Sequence, residues 1–339
     1  MPRLAINGYG RIGRCVLRAL YERGLDADMP VVAINEPASL EGMAHLTRFD
    51  STHGIFPGTV AAADGELRIN EQPIAVTHAS DPAALDWRKQ RVDLVLDCSG
   101  RFSRRSEAEA HLTAGAPRVL MSHPMADASD VDLTVILGVN HEDLGAEQRL
   151  VSNASCSTNC LLPVLQQVHG RYGIEAASVT TIHSVMNDQP LVDGYHDADL
   201  RRTRSALTSM VPVATGLARG IERFMPEMSG RLHAQHVRVP TLNVSAMDVN
   251  VQLREPATAD AVNRLLAAAC ERELAGILGY SEEAHASCDF NHDPRSGIVD
   301  GTQTRVSGRL AHLMLWFDNE WGFANRMVDV AARWLGRAA

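Results

Sequence analysis

The chain has 339 residues, 45% hydrophobic and 22% charged, with a formal net charge of −9. This is the make-up of an ordinary soluble protein, long enough for two domains. The negative balance argues against a nucleic-acid surface and against adhesion to anionic membranes, and no stretch stays apolar for the roughly 20 residues a membrane span requires. Six cysteines in so long a chain do not make a disulfide framework, and no compact Cys/His set has metal-ligand spacing. A chain that enters a strand at Leu4 without signal-peptide anatomy is expected to be cytoplasmic.

Leu4-Ala5-Ile6-Asn7 reads as a strand, followed by Gly8-Tyr9-Gly10-Arg11-Ile12-Gly13 and a helical pattern through Ile12, Val16, Leu17 and Leu20 that Gly24 closes. Between a first strand and a first helix these glycines have distinct jobs. Gly8 permits a tight turn, Gly10 admits a pyrophosphate to the backbone, and Gly13 lets helix and strand pack closely. A second strand, Val31 to Ile34, ends in Asn35-Glu36. Glu36 follows the glycines by about 20 residues, the spacing at which an acid binds the adenosine ribose hydroxyls; it would repel a 2′-phosphate, so NAD is favoured over NADP. Further alternation follows: a strand at Leu94-Val95-Leu96 ending in Asp97-Cys98-Ser99-Gly100, a polar helix from about Arg104 to Ala114, and strands at Arg118–Met121 and Thr134–Gly138. An α/β fold with a Rossmann-type doubly wound parallel sheet is predicted.

Strand-like Leu150-Val151 then gives way to Ser155-Cys156-Ser157-Thr158-Asn159-Cys160 and a helical apolar pattern (Leu161, Leu162, Val164, Leu165, Val168). Cys156 is thus expected at a helix N-terminus, where unpaired N–H groups and the helix dipole favour a thiolate. The β-branched run Val179–Ile182 predicts a strand that delivers a base, His183. Farther on, Met247, Val249, Val251 and Leu253 alternate with Asp248, Asn250 and Gln252, the mark of an antiparallel sheet with one wet face. Helical stretches run from Thr258, a possible N-cap, to Leu274 and from Asn319 to Leu335. The expected organisation is a dinucleotide domain over 1–155 and an α+β catalytic domain over 156–318 with a mostly antiparallel sheet. A C-terminal helix within 319–339 would pack back on the first domain, and Cys156 would lie at the seam, where cofactor and substrate meet.

Along essentially its whole length the chain resembles the glyceraldehyde-3-phosphate dehydrogenase superfamily. The resemblance rests on Ile6–Gly13, Ser152–Cys160, Thr181-Ile182-His183, Arg238-Val239-Pro240-Thr241 and Asp318-Asn319-Glu320-Trp321-Gly322-Phe323. It is closest to the D-erythrose-4-phosphate dehydrogenase branch. Where the glycolytic branch has Ala-Tyr-Thr-Ala-Thr-Gln after the histidine, this chain has Ser184-Val185-Met186-Asn187-Asp188-Gln189. Two phosphate-binding threonines have become Met186, which cannot donate a hydrogen bond, and Asp188, which repels a phosphate dianion. Glu36 in place of the usual aspartate, and the runs Asp289–Pro294 and Val299–Thr304, also resemble that branch.

The resemblance implies oxidation of D-erythrose 4-phosphate to 4-phosphoerythronate, feeding pyridoxal phosphate synthesis, through a thioester on Cys156 with His183 as acid–base. Substrate binding is implied for Ser155, Ser157, Arg202, Thr215 and Gly216, and for Arg238, whose guanidinium can grip a phosphate bidentately. The bound cofactor is implied to be NAD, contacted by Gly8, Gly10, Arg11, Ile12, Gly13, Glu36, Ser122 and Asn319. A homotetramer is implied, knitted through the loop Pro190–Thr203. Phosphorylating glyceraldehyde-3-phosphate dehydrogenase is the alternative enzyme. A non-catalytic nucleotide-binding regulator is the remote alternative, and its sign would be loss of Cys156 or His183. His45, His53, His169, His196, His233, His236 and His292 carry no motif and read as structural.

Overall fold

The apolar run at Leu4 forms β1 (Leu4–Asn7), buried on both faces, as the central strand of a covered parallel sheet must be. The computed structural model describes residues 1–337, so the end of the expected C-terminal helix, 338–339, lies outside the described residues. Contacts divide the chain into two units: Met1–Ser155 with Phe323–Ala339, and Cys156–Gly322.

The first unit continues with β2 (Val31–Asn35), β3 (Phe49–Asp50), β4 (Gly54–Ile55), β5 (Val60–Ala63), β6 (Glu66–Ile69), β7 (Gln72–Thr77), β8 (Leu94–Asp97), β9 (Val119–Met121), β10 (Leu133–Thr134) and β11 (Leu150–Ser152). One nine-stranded sheet has the order β10-β11-β9-β8-β1-β2-β7-β6-β5, and β3 pairs with β4 apart from it. β1 runs parallel to both β2 and β8, so the strand order changes direction there, and an open α/β sheet binds ligands beyond the strand ends at such a point. Helices α1 (Arg11–Glu22), α2 (Leu40–Arg48) and α3 (Arg105–Thr113) belong to this unit.

Two features differ from expectation. The strand predicted over Thr134–Gly138 shrinks to β10, because the Asn140 side chain takes the Ile136 N–H (2.8 Å) and the Thr134 carbonyl (3.0 Å), diverting the backbone into a turn. The antiparallel edge β5-β6-β7 was not read from the sequence. Its turns place Asp64-Gly65 and Asn70-Glu71 at positive φ, the geometry of tight primed hairpins.

The second unit contains α4 (Cys156–Tyr172), β12 (Ile174–His183), β13 (Val211–Val213), α5 (Leu217–Glu222), β14 (Leu232–Arg238), β15 (Ser245–Leu253), α6 (Ala259–Glu271), β16 (Leu278–Ser281), β17 (Gly297–Asp300), β18 (Arg305–Ser307) and β19 (Leu310–Phe317). Its sheet has the order β13-β14-β12-β15-β19-β17-β16, with β18 on β19. It is mostly antiparallel; β12–β14 and β16–β17 are the parallel pairs. β15 buries Met247, Val249, Val251 and Leu253 fully and leaves Asp248, Asn250 and Gln252 half-buried, which matches the alternation in the sequence. The Thr258 hydroxyl accepts the Ala261 N–H (3.2 Å) as the N-cap of α6.

The last helix, α7, spans Trp321–Trp334. From Phe323 on it belongs to the first unit. Arg23 pairs with Asp329 at 2.7 Å, and the Trp334 indole donates to the Gly145 carbonyl at 2.9 Å. No helix among the described residues is long and apolar enough to cross a membrane.

Candidate active site

A cleft of about 250 Å³ opens at the C-terminal ends of β1, β2 and β8, lined by Asn7, Gly8, Gly10, Asn35, Glu36, Cys98, Ser99 and neighbouring residues. Gly8 turns at φ +84°, and a Cβ there would lie 2.5 Å from the Ser99 Cα. A Cβ on Gly13 would strike the Gly8 carbonyl oxygen, whereas nothing lies within 4 Å of one on Gly10. The turn is therefore tight behind Gly8 and Gly13 and open beside Gly10. Gly10 is the N-cap of α1, and Arg11 and Ile12 begin that helix, a terminus whose N–H groups suit an anion. The Arg11 side chain pairs with Asp50 (3.2 Å from Nη2 to Oδ1), which leaves the backbone as its means of contact with a ligand.

Behind the cleft sits a buried carboxylate. Asp97 accepts from Asn7 Nδ2 (2.8 Å), the Ser99 N–H (3.1 Å) and the Ser99 hydroxyl (2.7 Å). His111 takes the Trp87 indole N–H on Nδ1 (3.1 Å), so its Nε2–H donates to Asp97 at 2.9 Å. Burial works to raise the Asp97 carboxyl, but these donors hold it below the usual carboxylate range. Asn35 Nδ2 in turn donates to Asn7 Oδ1 (2.8 Å), so the strand ends that line the cleft share one network. Ser122 is tied to the same wall, its N–H on the Asp97 carbonyl (2.9 Å) and its hydroxyl on the Cys98 thiol.

In the second unit, Cys156 is the first residue of α4, two residues after Ala154 at φ +54°. A left-handed alanine costs about 1–2 kcal/mol, and here it makes the sharp turn that puts the thiol at the helix start, with Ser155 inside the turn. Ser157, next in the helix, places its hydroxyl 3.9 Å from Cys156 Sγ. Burial pushes the Cys156 thiol up, against hydrogen bonds from Ser157 and the backbone that lower it. The resting group is therefore a thiol. The thiolate expected from the helix terminus alone is outweighed by desolvation.

His183, at the end of β12, is 3% exposed. Its Nδ1 lies 2.8 Å from the Ser184 carbonyl, which can only accept, so Nδ1 carries the hydrogen and Nε2 the lone pair. Burial lowers the imidazole below its ordinary value; Arg238 adds to the shift, while the Ser184 bond opposes it. The ring is thus a neutral base at neutral pH. Ser184 also donates its hydroxyl to Asn319 Oδ1 (2.9 Å) and its N–H to Ser245 Oγ (3.1 Å), and Ser245 donates to the same Asn319 oxygen (2.7 Å). Two donors on Oδ1 fix the amide so that it presents its NH2 as the donating side.

The arginines are not free forks. Arg238, 4% exposed, pairs bidentately with Asp188 (2.6 and 3.0 Å), and Arg202 reaches the same carboxylate at 3.0 Å. The phosphate grip expected of Arg238 is already taken by a carboxylate, and Arg202 meets Arg238 at that same residue. Burial works to raise the Asp188 carboxyl, but Arg238 and then Arg202 hold it below the usual range. Thr215 and Gly216 open α5, the Thr215 hydroxyl capping Leu217 N–H at 3.2 Å. A Cβ on Gly220 of that helix would lie 3.0 Å from the Thr158 hydroxyl in the first turn of α4.

Residues 2–105 match the glyceraldehyde 3-phosphate dehydrogenase NAD binding domain, and residues 155–319 match the glyceraldehyde 3-phosphate dehydrogenase C-terminal domain. The chain belongs to the glyceraldehyde-3-phosphate dehydrogenase superfamily. It is an NAD-dependent dehydrogenase, and the cleft fits that cofactor, with open space beside Gly10 and the Glu36 carboxylate in its lining. Glu36 also has a structural task. Its Oε2 accepts the Tyr9 N–H at 2.7 Å and so braces the glycine turn. Glu36→Ala is expected to weaken NAD binding by about tenfold, the worth of one charge-assisted hydrogen bond, and to narrow the preference for NAD over NADP. Titrating both cofactors by quenching of protein fluorescence checks this; equal affinity for NADP in the unaltered protein would refute the ribose role.

Sequence reasoning missed Ser184, the partnership of Asp188 with both arginines, and His236. The His236 ring stacks on His183 with centroids 4.7 Å apart and planes 22° from parallel.

Proposed function

We propose that this dehydrogenase oxidises D-erythrose 4-phosphate to 4-phosphoerythronate, with Cys156 as nucleophile and His183 as acid–base. His183 Nε2 takes the thiol proton, and the Cys156 sulfur adds to the aldehyde carbon to form a hemithioacetal, whose oxygen regains that proton. The Cys156 N–H and the protonated His183 stabilise the transient oxyanion. Bound NAD would supply the acceptor for the hydride on the hemithioacetal carbon. His183 takes the hydroxyl proton as that hydride departs, which leaves a thioester on Cys156. His183 gives that proton up to solvent, then takes one from water as the water oxygen opens the thioester, and returns it to the departing Cys156 sulfur as the acid is freed. The glycine turn would hold the cofactor pyrophosphate, Glu36 the adenosine ribose, and Asn319 Nδ2 the carboxamide.

The observation that carries the substrate assignment is Asp188 seated between Arg202 and Arg238. One carboxylate offsets two guanidiniums, so an attacking inorganic phosphate meets a partly neutralised site and a like charge. That supports water as the acceptor. It also supports a four-carbon substrate, whose phosphate lies one carbon farther from Cys156. The exposed side chains Leu191, Val192, Tyr195 and Leu200 support assembly of copies through the loop 190–203, as a homotetramer. Initial rates with erythrose 4-phosphate and glyceraldehyde 3-phosphate, each with and without inorganic phosphate, test the assignment. Higher kcat/KM for the four-carbon aldehyde with little phosphate acceleration is expected. Strong phosphate dependence with preference for the three-carbon aldehyde would move the chain to the glycolytic branch.

A further inference from the structure

His236 lies on β14, which pairs in parallel with β12 so that Thr181 faces His236 and His183 faces Arg238. It is two residues from Arg238 and shares its face of the strand. Its ring covers one side of the His183 ring, and the Phe317 ring meets His183 edge-on at 6.2 Å. The His236 Nε2 is buried with no hydrogen-bond partner among the described residues. A buried ring nitrogen left unbonded is unfavourable, so hydrogen bonding at Nε2 is not what a histidine contributes here. What the residue does supply is a flat cover on the base.

We propose that His236 is a positioning residue: stacked on His183, it fixes the plane of that ring and shields it from water, so that Nδ1 stays on the Ser184 carbonyl and Nε2 stays available. This deepens the assignment of His183 as base and rests on it. The charges around the pair all bear on which ring takes a proton. Arg238 disfavours a proton on either ring and Arg202 one on His236, whereas Asp188, and Glu320 for His183, favour one. Two stacked imidazoles do not both charge readily. His183 has the Ser184 carbonyl to stabilise its cation, whereas burial, then His183 and Arg238, push His236 down to about 3. A proton entering the pair therefore goes to His183.

The test compares His236→Ala, which uncovers the base, with His236→Phe, which keeps a flat ring but no nitrogen. The readout is the titration of the His183 Cε1 resonance in protein carrying carbon-13 histidine, identified by its absence from His183→Asn. In the alanine variant the His183 midpoint is expected to rise by about half a unit or more toward the ordinary ~6.5. kcat/KM should fall by about tenfold, as a base that has lost its alignment would cause. The phenylalanine variant should keep the depressed midpoint and recover most of the lost turnover. If the alanine variant does not fold, His236→Leu takes its place as the variant without a flat ring. A His183 midpoint unchanged without the ring would overturn the proposal, as would a phenylalanine variant as impaired as alanine. The resonance is read without substrate, so an error in the substrate assignment would leave this outcome intact.

Discussion

Cys156→Ser is expected to lower NADH production by roughly 10⁴-fold or more, the scale on which loss of a covalent nucleophile falls, while NAD affinity changes little. A hydroxyl is a far weaker acid than a thiol, and the site gives it little help: burial already raises even the thiol against the hydrogen bonds of Ser157 and the helix start. The cleft assigned to NAD is built from other residues, so cofactor binding is the internal control for folding. Stopped-flow measurement of NADH in the first turnover decides it. A burst of unaltered amplitude in the serine variant would end the case for covalent catalysis.

His183→Asn should cost about two to four orders of magnitude in kcat/KM, the usual worth of a positioned acid–base group. The pH profile carries the sign. Burial lowers the histidine in the folded protein, so the active, neutral form is fully present above that lowered midpoint and is lost as pH falls through it. The acid limb of kcat/KM is therefore expected below the ordinary ~6.5 of histidine. In the asparagine variant that limb should vanish, and alkylation of Cys156 by iodoacetamide should require higher pH. An alkylation profile that does not move would show that the two residues act independently.

The parts of the molecule that depend on neighbours in sequence were legible in the sequence. The glycine turn, the alternating β/α elements, the Thr258 cap and the helix beginning at Cys156 all follow from local spacing. Asp64-Gly65 was also a local signal for the β5–β6 hairpin, but the alanines before it hid the two-residue alternation that would have exposed the strand. What could not be read depends on register and burial. His236 meets His183 because β14 pairs with β12 in one particular alignment, and no feature around His236 in sequence specifies that. Asp188 was read as an absence of phosphate contacts, whereas the fold makes it the anchor of two arginines. The state of Cys156 was misjudged for the same reason: the helix terminus is a local fact, and desolvation is not.

Ser184 ties His183 and Asn319 to one peptide. Its carbonyl sets the tautomer of His183, and its hydroxyl and amide, one directly and one through Ser245, set the orientation of Asn319. A small displacement of that single peptide would carry the His183 ring and the Asn319 amide together. Positional error at the two is therefore correlated rather than independent, and their separation holds steadier than the position of either one.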